Sequence, residues 1–235
     1  FHSFKQLKYF KMNNKIRLAL ILILAGCVVG FGILYQTWGG NPESKLNKTA
    51  LLDNAKKTNS SFDSILGTTW VNQKNDSSSS EVSFTIESSP KYTKGIFENF
   101  DIIFKVSEDD PSISKLRVTI DVSSINTDNE MRDENLMDED YFSLNNFPKI
   151  SFQSNEIIKT DSTYLTKGII DMMGLQNELT FDFIYKGKGE NNRQQKVAIF
   201  EGEFTLDRVK LGMPTIKSIG DEVDVKFYCE LIEKD

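Results

Sequence analysis

Apolar and polar residues alternate along most of the chain after residue 68. In residues 116–120, for example, Leu116, Val118 and Ile120 alternate with Arg117 and Thr119. A period of two sends successive side chains to opposite faces of a strand, so one face is apolar and the other polar. Such strands are typical of antiparallel sheets with one buried face. The same pattern occurs in residues 82–86, 100–106, 150–152, 179–185, 200–206 and 223–231.

These strands have few predicted helices to cover their apolar faces. The exception to the alternation is residues 128–142, which indicate a short helix or turn. Seven or eight antiparallel strands must then bury their apolar faces against one another, in a barrel or a sandwich. We expect large apolar residues to line the interior. They are Val82, Phe84, Phe100, Ile102, Phe104, Val118, Ile120, Phe142, Ile150, Phe152, Phe181, Phe183, Phe204, Val225 and Phe227.

Phenylalanine is unusually abundant, with 17 Phe against 2 Trp and 7 Tyr. Its ring buries a large area and carries no polar group, which favours a wide apolar interior. An eight-stranded barrel can be filled by its own side chains or can hold one small ligand. The alternation leaves both arrangements open.

The segment 18–35 contains no charged residue, and the bases nearest to it all precede it. As a helix it would be about 27 Å long, close to the hydrocarbon thickness of a bilayer. The positive-inside rule then predicts a cytoplasmic leader in residues 1–17 and a single transmembrane anchor in residues 18–38, with the rest of the chain outside the cytoplasm. If translation starts at Met12, residues 1–11 are not part of the protein.

Two other interpretations of this segment stay open. A cleaved signal peptide normally has a shorter apolar core. The stretch that ends at Cys27 is similar to a bacterial lipobox, in which that cysteine is lipidated. Residues 39–65 are polar and predict a spacer, and residues 66–235 predict the barrel domain.

Charge is distributed unevenly along the chain. Of the 28 lysines and arginines, five lie in residues 1–39, which hold no acid. The rest of the chain therefore has 23 bases and all 34 acids, which gives it a net charge of −11. A domain this acidic would be repelled by phosphate backbones. Nucleic acid is therefore not an expected partner.

The residue types needed for catalysis are scarce. The single histidine is His2, so the barrel domain has no imidazole for a Ser-His-Asp, Cys-His or histidine-metal arrangement. Cys229 shares the apolar phase of Val225 and Phe227, which indicates a buried side chain and not a nucleophile. The acids between Asp128 and Asp140 lack the offsets of a calcium loop. We expect no enzyme activity, no metal and no cofactor.

Residues 121–154 contain several short motifs in a fixed order: D-x-x-S-I-x-T, then R-D, an acidic turn, a proline and I-x-F-x-S. The matching residues are Asp121, Ser124, Ile125, Thr127, Arg132, Asp133, Leu136, Phe142, Pro148, Ile150, Phe152 and Ser154. This order resembles the YceI-like family of polyisoprenoid-binding proteins. Further matches are residues 168–183 and the set Thr205, Arg208, Leu211 and Gly212. Asn135 stands where the family usually has a histidine, so the ligand or its affinity could differ.

The resemblance implies an all-β, eight-stranded antiparallel, lipocalin-like barrel with a short helical excursion. It also implies a bound isoprenoid, quinone-like or fatty-acyl lipid, for transport, storage or quinone and isoprenoid handling. Among the polar motif residues, Arg132 could pair with Asp133 or backbone carbonyls and pin the excursion to the barrel. We expect a structural role for it and for Arg208, in preference to contact with a ligand phosphate.

The expected location is the bacterial cell envelope. The anchor would lie in the inner membrane and the domain outside the cytoplasm, on the periplasmic side in a Gram-negative cell. Two functional alternatives stay open: a self-filled barrel that acts as a protein-interaction module, and a carboxylate-dependent enzyme on a lipid substrate. A homodimer also stays open.

Overall fold

Antiparallel strands form one continuous sheet in the computed structural model, which describes residues 41–48, 61–74 and 78–234. Every pair of neighbouring strands runs antiparallel, as the alternation predicts. The strands are β1 (Thr69–Asn72), β2 (Ser80–Ser88), β3 (Lys91–Phe97), β4 (Phe100–Lys105), β5 (Lys115–Asp121), β6 (Ile125–Asn126), β7 (Lys149–Lys159), β8 (Tyr164–Met172), β9 (Leu175–Glu190), β10 (Lys196–Asp207) and β11 (Ile219–Glu233).

The sheet closes into a barrel with eight positions around its wall. β1 and β2 share one position, since both pair with β11, while β1 also pairs with β4 and β2 with β3. β3 and β4 share the next position. β6 pairs with β3 and β5 pairs with β4, so β5 and β6 share the position after that. The pairing of β1 with β11 closes the ring. The predicted eight-stranded antiparallel barrel is therefore confirmed.

The helical excursion is confirmed as well. It is α1 (Glu130–Met137), and the side chain of Asn129 caps it by accepting a hydrogen bond from the Arg132 backbone N–H at 3.0 Å. The predicted anchor in residues 18–38 lies outside the described residues. Within the described ranges, no helix is long and apolar enough to cross a membrane.

Two parts of the predicted spacer contact the barrel. Residues 41–48 lie along the outer wall of β2 and β3: the Asn41 side chain accepts from the Lys94 backbone N–H at 3.3 Å, and Lys45 forms an ion pair with Glu98 at 3.5 Å. Residues Phe62–Ile65 form a 3₁₀ helix whose Phe62 and Ile65 are buried. Residues 61–65 hold only two apolar residues and show no period, so the sequence pattern did not indicate this role.

The interior contains two clusters of apolar side chains, one toward each end of the barrel. We call the end that Phe62–Ile65 covers the closed half; its cluster consists of Phe62, Ile65, Trp70, Ile102, Phe104, Val106, Ile157, Tyr164, Phe183, Tyr185, Ala198, Phe200, Cys229 and Leu231. The opposite end is the open half. Its cluster consists of Phe97, Val122, Ile125, Phe142, Ile150, Phe152, Ile170, Met172, Phe181, Leu211 and Met213, with partly buried neighbours.

Candidate functional site in the barrel interior

The predicted lining residues divide between the two halves. Ile102, Phe104 and Phe183 belong to the closed-half cluster, and Phe100 packs against it. Phe142, Ile150, Phe152 and Phe181 belong to the open-half cluster, and Phe84, Ile120 and Phe204 pack against it, while Val118 and Phe227 contact both. Val82 and Val225 face the same interior, because Val82 pairs with Phe97 and Val225 with Phe84.

One predicted lining residue does not come from a strand. Phe142 lies in the loop between α1 and β7, and it is buried with its ring centroid 6.2 Å from that of Phe97. This loop and residues 208–218 frame the end of the open half, which we call the mouth. Leu211 and Met213 from the second loop are buried there too.

The closed half is filled by its own rings. Phe62 stacks on Tyr164 with centroids 4.4 Å apart, and Tyr164 stacks on Phe183 at 5.4 Å. Phe200 contacts Phe104 at 5.4 Å and Tyr185 at 5.3 Å. These spacings are those of packed aromatic pairs, so little room is left for another molecule.

Burial changes the titration of two closed-half groups. It raises the pKa of the Tyr185 hydroxyl to about 12, although a 3.0 Å hydrogen bond with Ser64 opposes the shift. It also raises the pKa of the Cys229 thiol to about 12. Both groups therefore stay neutral at physiological pH, and Cys229 lacks the thiolate that a nucleophile needs.

Several inward side chains of the open half are only partly buried. Phe84, Ile120 and Phe204 are partly exposed although the strand register points them into the barrel. Val225 and Phe227 on β11 are partly exposed as well. Solvent therefore still reaches part of the inward apolar face in this half.

Three phenylalanine rings of this interior lie against the wall, over glycines of the next strand. A methyl group added at Gly95 would lie 2.2 Å from Cζ of Phe84, and at Gly202 it would lie 2.6 Å from Cζ of Phe227. At Gly168 it would lie 2.6 Å from Cζ of Phe152. Because these glycines have no side chain, each ring can lie flat on the backbone. The rings thereby take up less of the central space.

Polar contacts hold the α1 excursion next to the barrel. The Arg132 guanidinium donates to the Thr127 carbonyl oxygen at 2.6 Å and to the Thr127 hydroxyl at 2.8 Å. The Asp133 carboxylate accepts from the Thr127 backbone N–H at 3.0 Å. Partial burial lowers the pKa of Arg132, and the nearby Asp133 opposes that shift. Asn135 is exposed on α1.

Arg208 ties together the second loop of the mouth. It is only 3% exposed, and its guanidinium donates to the carbonyl oxygens of Gly220 at 2.7 Å, Pro214 at 2.6 Å and Ile219 at 3.3 Å. Asp221 adds an ion pair at 3.5 Å. A planar fork of donors suits several carbonyls at once, which a lysine could not serve.

No buried charge faces the interior among the described residues. The buried ionisable side chains with a formal charge are Arg208, committed to its loop, and Glu230. Glu230 points outward, since Cys229 and Leu231 on either side of it belong to the closed-half cluster, and it accepts a hydrogen bond from the Tyr228 hydroxyl at 2.7 Å. Over the same residues, no group of acids, cysteines or histidines could hold a metal.

β8 was missing from the predicted set of lining strands. Its inward residues are Tyr164, Thr166, Gly168, Ile170 and Met172, which are all buried. Apolar Leu165 and Ile169 on the outer face hide the alternation. Met173 and Gly174 form a two-residue turn with φ of 54° and 73°, and this turn fixes the register of β8 from that of β9. Gly174 is the one sequence signal of that turn.

Comparisons with known proteins agree with this architecture. The model of the YceI-like domain matches residues 47–231. A UPF0312 protein of Staphylococcus aureus is 36% identical over 123 residues, which are 51% of this chain and 68% of that protein. A UPF0312 protein of Photorhabdus laumondii is 30% identical over 97 residues, and there the match spans 41% of this chain and only half of the relative.

Solved structures show the same fold at low sequence identity. BcnA of Burkholderia cenocepacia has a TM-score of 0.56 at 22% identity and is matched over 66% of this chain and 96% of its own. A polyisoprenoid binding domain from Saccharophagus degradans has a TM-score of 0.51 at 11% identity, over 71% of this chain and 98% of its own. Since the family model covers most of the sequence, the chain belongs to the YceI-like domain family.

Proposed function

We propose that this barrel is a binding protein for a long-chain isoprenoid or a similar lipid-like amphiphile, held in the open half. A contrast in exposure carries the proposal. Rings pair in both halves, but the rings of the closed half are almost all buried, whereas several inward apolar side chains of the open half stay within reach of solvent. Burying the apolar tail of a ligand there stabilises the complex by about 25 cal/mol per Å². The polyisoprenoid binding domain of Saccharophagus degradans, which shares the fold, supports this choice of ligand.

The proposal includes no catalytic step. The barrel domain contains no histidine, and the interior has no buried carboxylate that could serve as a general acid or base within the described residues. Binding for transport, storage or quinone and isoprenoid handling fits an apolar pocket without such groups. We further propose an extracytoplasmic location, with residues 18–38 as membrane anchor or Cys27 as a lipidation site.

The test is retention of lipid by the full-length chain. The protein would be purified from a bacterial host, its bound lipids extracted and identified by mass spectrometry, and the intact complex weighed by native mass spectrometry. We expect a lipid-sized adduct. Phe204→Glu, at a partly exposed inward position, should abolish it, because a charge would then lie among apolar side chains.

Thr180→Glu is the matched control, since Thr180 is exposed on the outer face of the adjacent strand β9, opposite Lys167. Lipid carried in a detergent micelle should be unaffected by either substitution. Lipid held in the barrel should be lost only when the added charge faces inward. Adducts that are equal in wild type, Phe204→Glu and Thr180→Glu, or absent from all three, would contradict the proposal. In that case the alternative of a self-filled interaction module gains support.

A further inference from the structure

Thr166 carries an unused hydroxyl in the barrel interior. The residue lies on β8 and is 0% exposed. Its Oγ1 is the one buried side-chain nitrogen or oxygen without a hydrogen-bond partner among the described residues. A buried hydroxyl without a partner destabilises the folded protein, because it gives up its hydrogen bonds to water and gains none in return. A valine of nearly the same shape would avoid that cost.

The position of Thr166 is at the boundary between the two halves. On one side of it along β8 is Tyr164 of the closed-half cluster, and on the other is Gly168, over which the ring of Phe152 lies. Across the ladder it pairs with Phe181 of the open-half cluster. Phe152 and Phe181, with centroids 5.3 Å apart, are therefore its neighbours toward the mouth.

A nearby serine shows how such a hydroxyl is normally satisfied. Ser154 on β7 is also 0% exposed, but its Oγ accepts from the Leu116 backbone N–H at 2.8 Å and donates to the Ser114 carbonyl oxygen at 3.4 Å. Those bonds lie in the seam between β5 and β7. Thr166 has no equivalent partner, so its hydroxyl is left for a group that enters the interior.

We infer that the ligand carries an uncharged oxygen, such as an alcohol, ketone or quinone oxygen, and that this oxygen enters first and hydrogen-bonds to Thr166. This inference rests on the proposed binding function. The apolar remainder of the ligand then extends through the open half toward the mouth. The rings of Phe152 and Phe181 turn aside to admit the oxygen.

The charges near the interior determine whether the ligand group that reaches Thr166 can be ionised. The buried cation Arg208 is committed to the mouth loop, and the buried acid Glu230 faces outward. A carboxylate or phosphate brought to Thr166 would therefore be an unpaired charge in an apolar interior, which is far more costly than a neutral oxygen. Ionised fatty acids and isoprenyl phosphates are accordingly excluded from this binding mode.

The experiment compares full-length wild type, Thr166→Val and Thr166→Ser by thermal unfolding, with and without dodecan-1-ol, dodecane or dodecanoate at pH 8. Ligand that binds only the folded state raises the midpoint according to its affinity. Without probe, Thr166→Val should unfold at a higher temperature than wild type, because it lacks the unsatisfied hydroxyl. With dodecan-1-ol it should show about tenfold weaker binding than wild type, while Thr166→Ser binds like wild type.

Dodecane tests the contribution of the apolar tail, and dodecanoate tests the effect of a charged headgroup. Dodecane should shift all three proteins equally, and dodecanoate should shift wild type less than dodecan-1-ol does. Equal dodecan-1-ol affinity in wild type and Thr166→Val would overturn the role of Thr166. Dodecanoate binding as tight as that of dodecan-1-ol would overturn the neutral class. If none of the probes shifts wild type, the proposed function fails together with the inference.

Discussion

Phenylalanine has opposite roles in the two halves of the barrel. In the closed half, Phe104, Phe183 and Phe200 project toward one another and fill the interior. In the open half, Phe84 lies over a glycine against the wall, although Phe181 still stacks on Phe204 with centroids 4.7 Å apart. The comparison teaches that a large number of phenylalanines does not by itself predict a filled or a hollow barrel. Whether a ring crosses the interior or lies against the wall depends on the size of the side chain that faces it on the neighbouring strand.

The largest difference between the halves should appear in stability. Phe104 is 2% exposed within a ring cluster, so Phe104→Ala leaves a cavity and should lower the free energy of unfolding by about 3–5 kcal/mol. Phe204 is partly exposed, so Phe204→Ala should cost clearly less. Urea unfolding of both variants measures the two values. Equal losses would mean that the open half is packed as tightly as the closed half.

Arg208 should stabilise only the mouth. Arg208→Ala leaves three carbonyl oxygens, of Pro214, Ile219 and Gly220, without their donor. We expect the free energy of local opening at the mouth to fall by about 2–3 kcal/mol. Hydrogen exchange should show the loss of protection in residues 208–221, with the closed half unchanged. Arg208→Lys should recover only part of it, because an ammonium cannot reach several carbonyls in one plane. Full recovery by lysine would show that charge alone suffices.

Gly95→Ala should narrow the pocket. The atoms that crowd a methyl group there all belong to the Phe84 ring, so the ring must leave the wall. We expect roughly tenfold weaker binding of the retained lipid, in line with the loss of well-packed apolar area. The double variant Gly95→Ala with Phe84→Leu should bind better than Gly95→Ala alone.

Gly220→Ala is the control for that experiment. A methyl group at Gly220 would be 3.3 Å from the Glu87 Cβ and meets no ring. It should therefore leave binding unchanged. If Gly220→Ala weakened binding as much as Gly95→Ala, strand rigidity and not the Phe84 ring would explain the result.

Alkaline pH should weaken the closed half. The folded pKa of Tyr185 is about 12 against an ordinary 10.0, and that of Cys229 is about 12 against 9.0. A raised pKa means that the neutral form is favoured in the folded state, so this stability is present below pH 9 and is lost as pH rises toward 12. Unfolding free energies between pH 8 and 12 should fall less steeply in Tyr185→Phe with Cys229→Ala. An unchanged slope would contradict this assignment.

The alternation of residues predicted the strands well because it reports directly on the faces of a sheet. It did not indicate β1 or β3. It also failed at β8, where Leu165 and Ile169 lie on the outer face while Thr166 and Gly168 face inward. It also could not indicate that Phe62 closes one end, since that contact joins residues far apart in the chain. Which half is filled depends on how rings pack against glycines across the ladder, and no local pattern records that.

The contacts of residues 41–48 determine what would break first if a force were applied to the chain at residue 41. Asn41 contacts Lys94 on β3, at the level of the open half, and further along Lys48 lies 4.4 Å from the ring centroid of Tyr228. A pulling force transmitted through residue 41 would first meet one side-chain hydrogen bond and the exposed Lys45–Glu98 ion pair, both individually weak. Residues 41–48 would separate from the outer wall before the force reached the packed rings of the closed half.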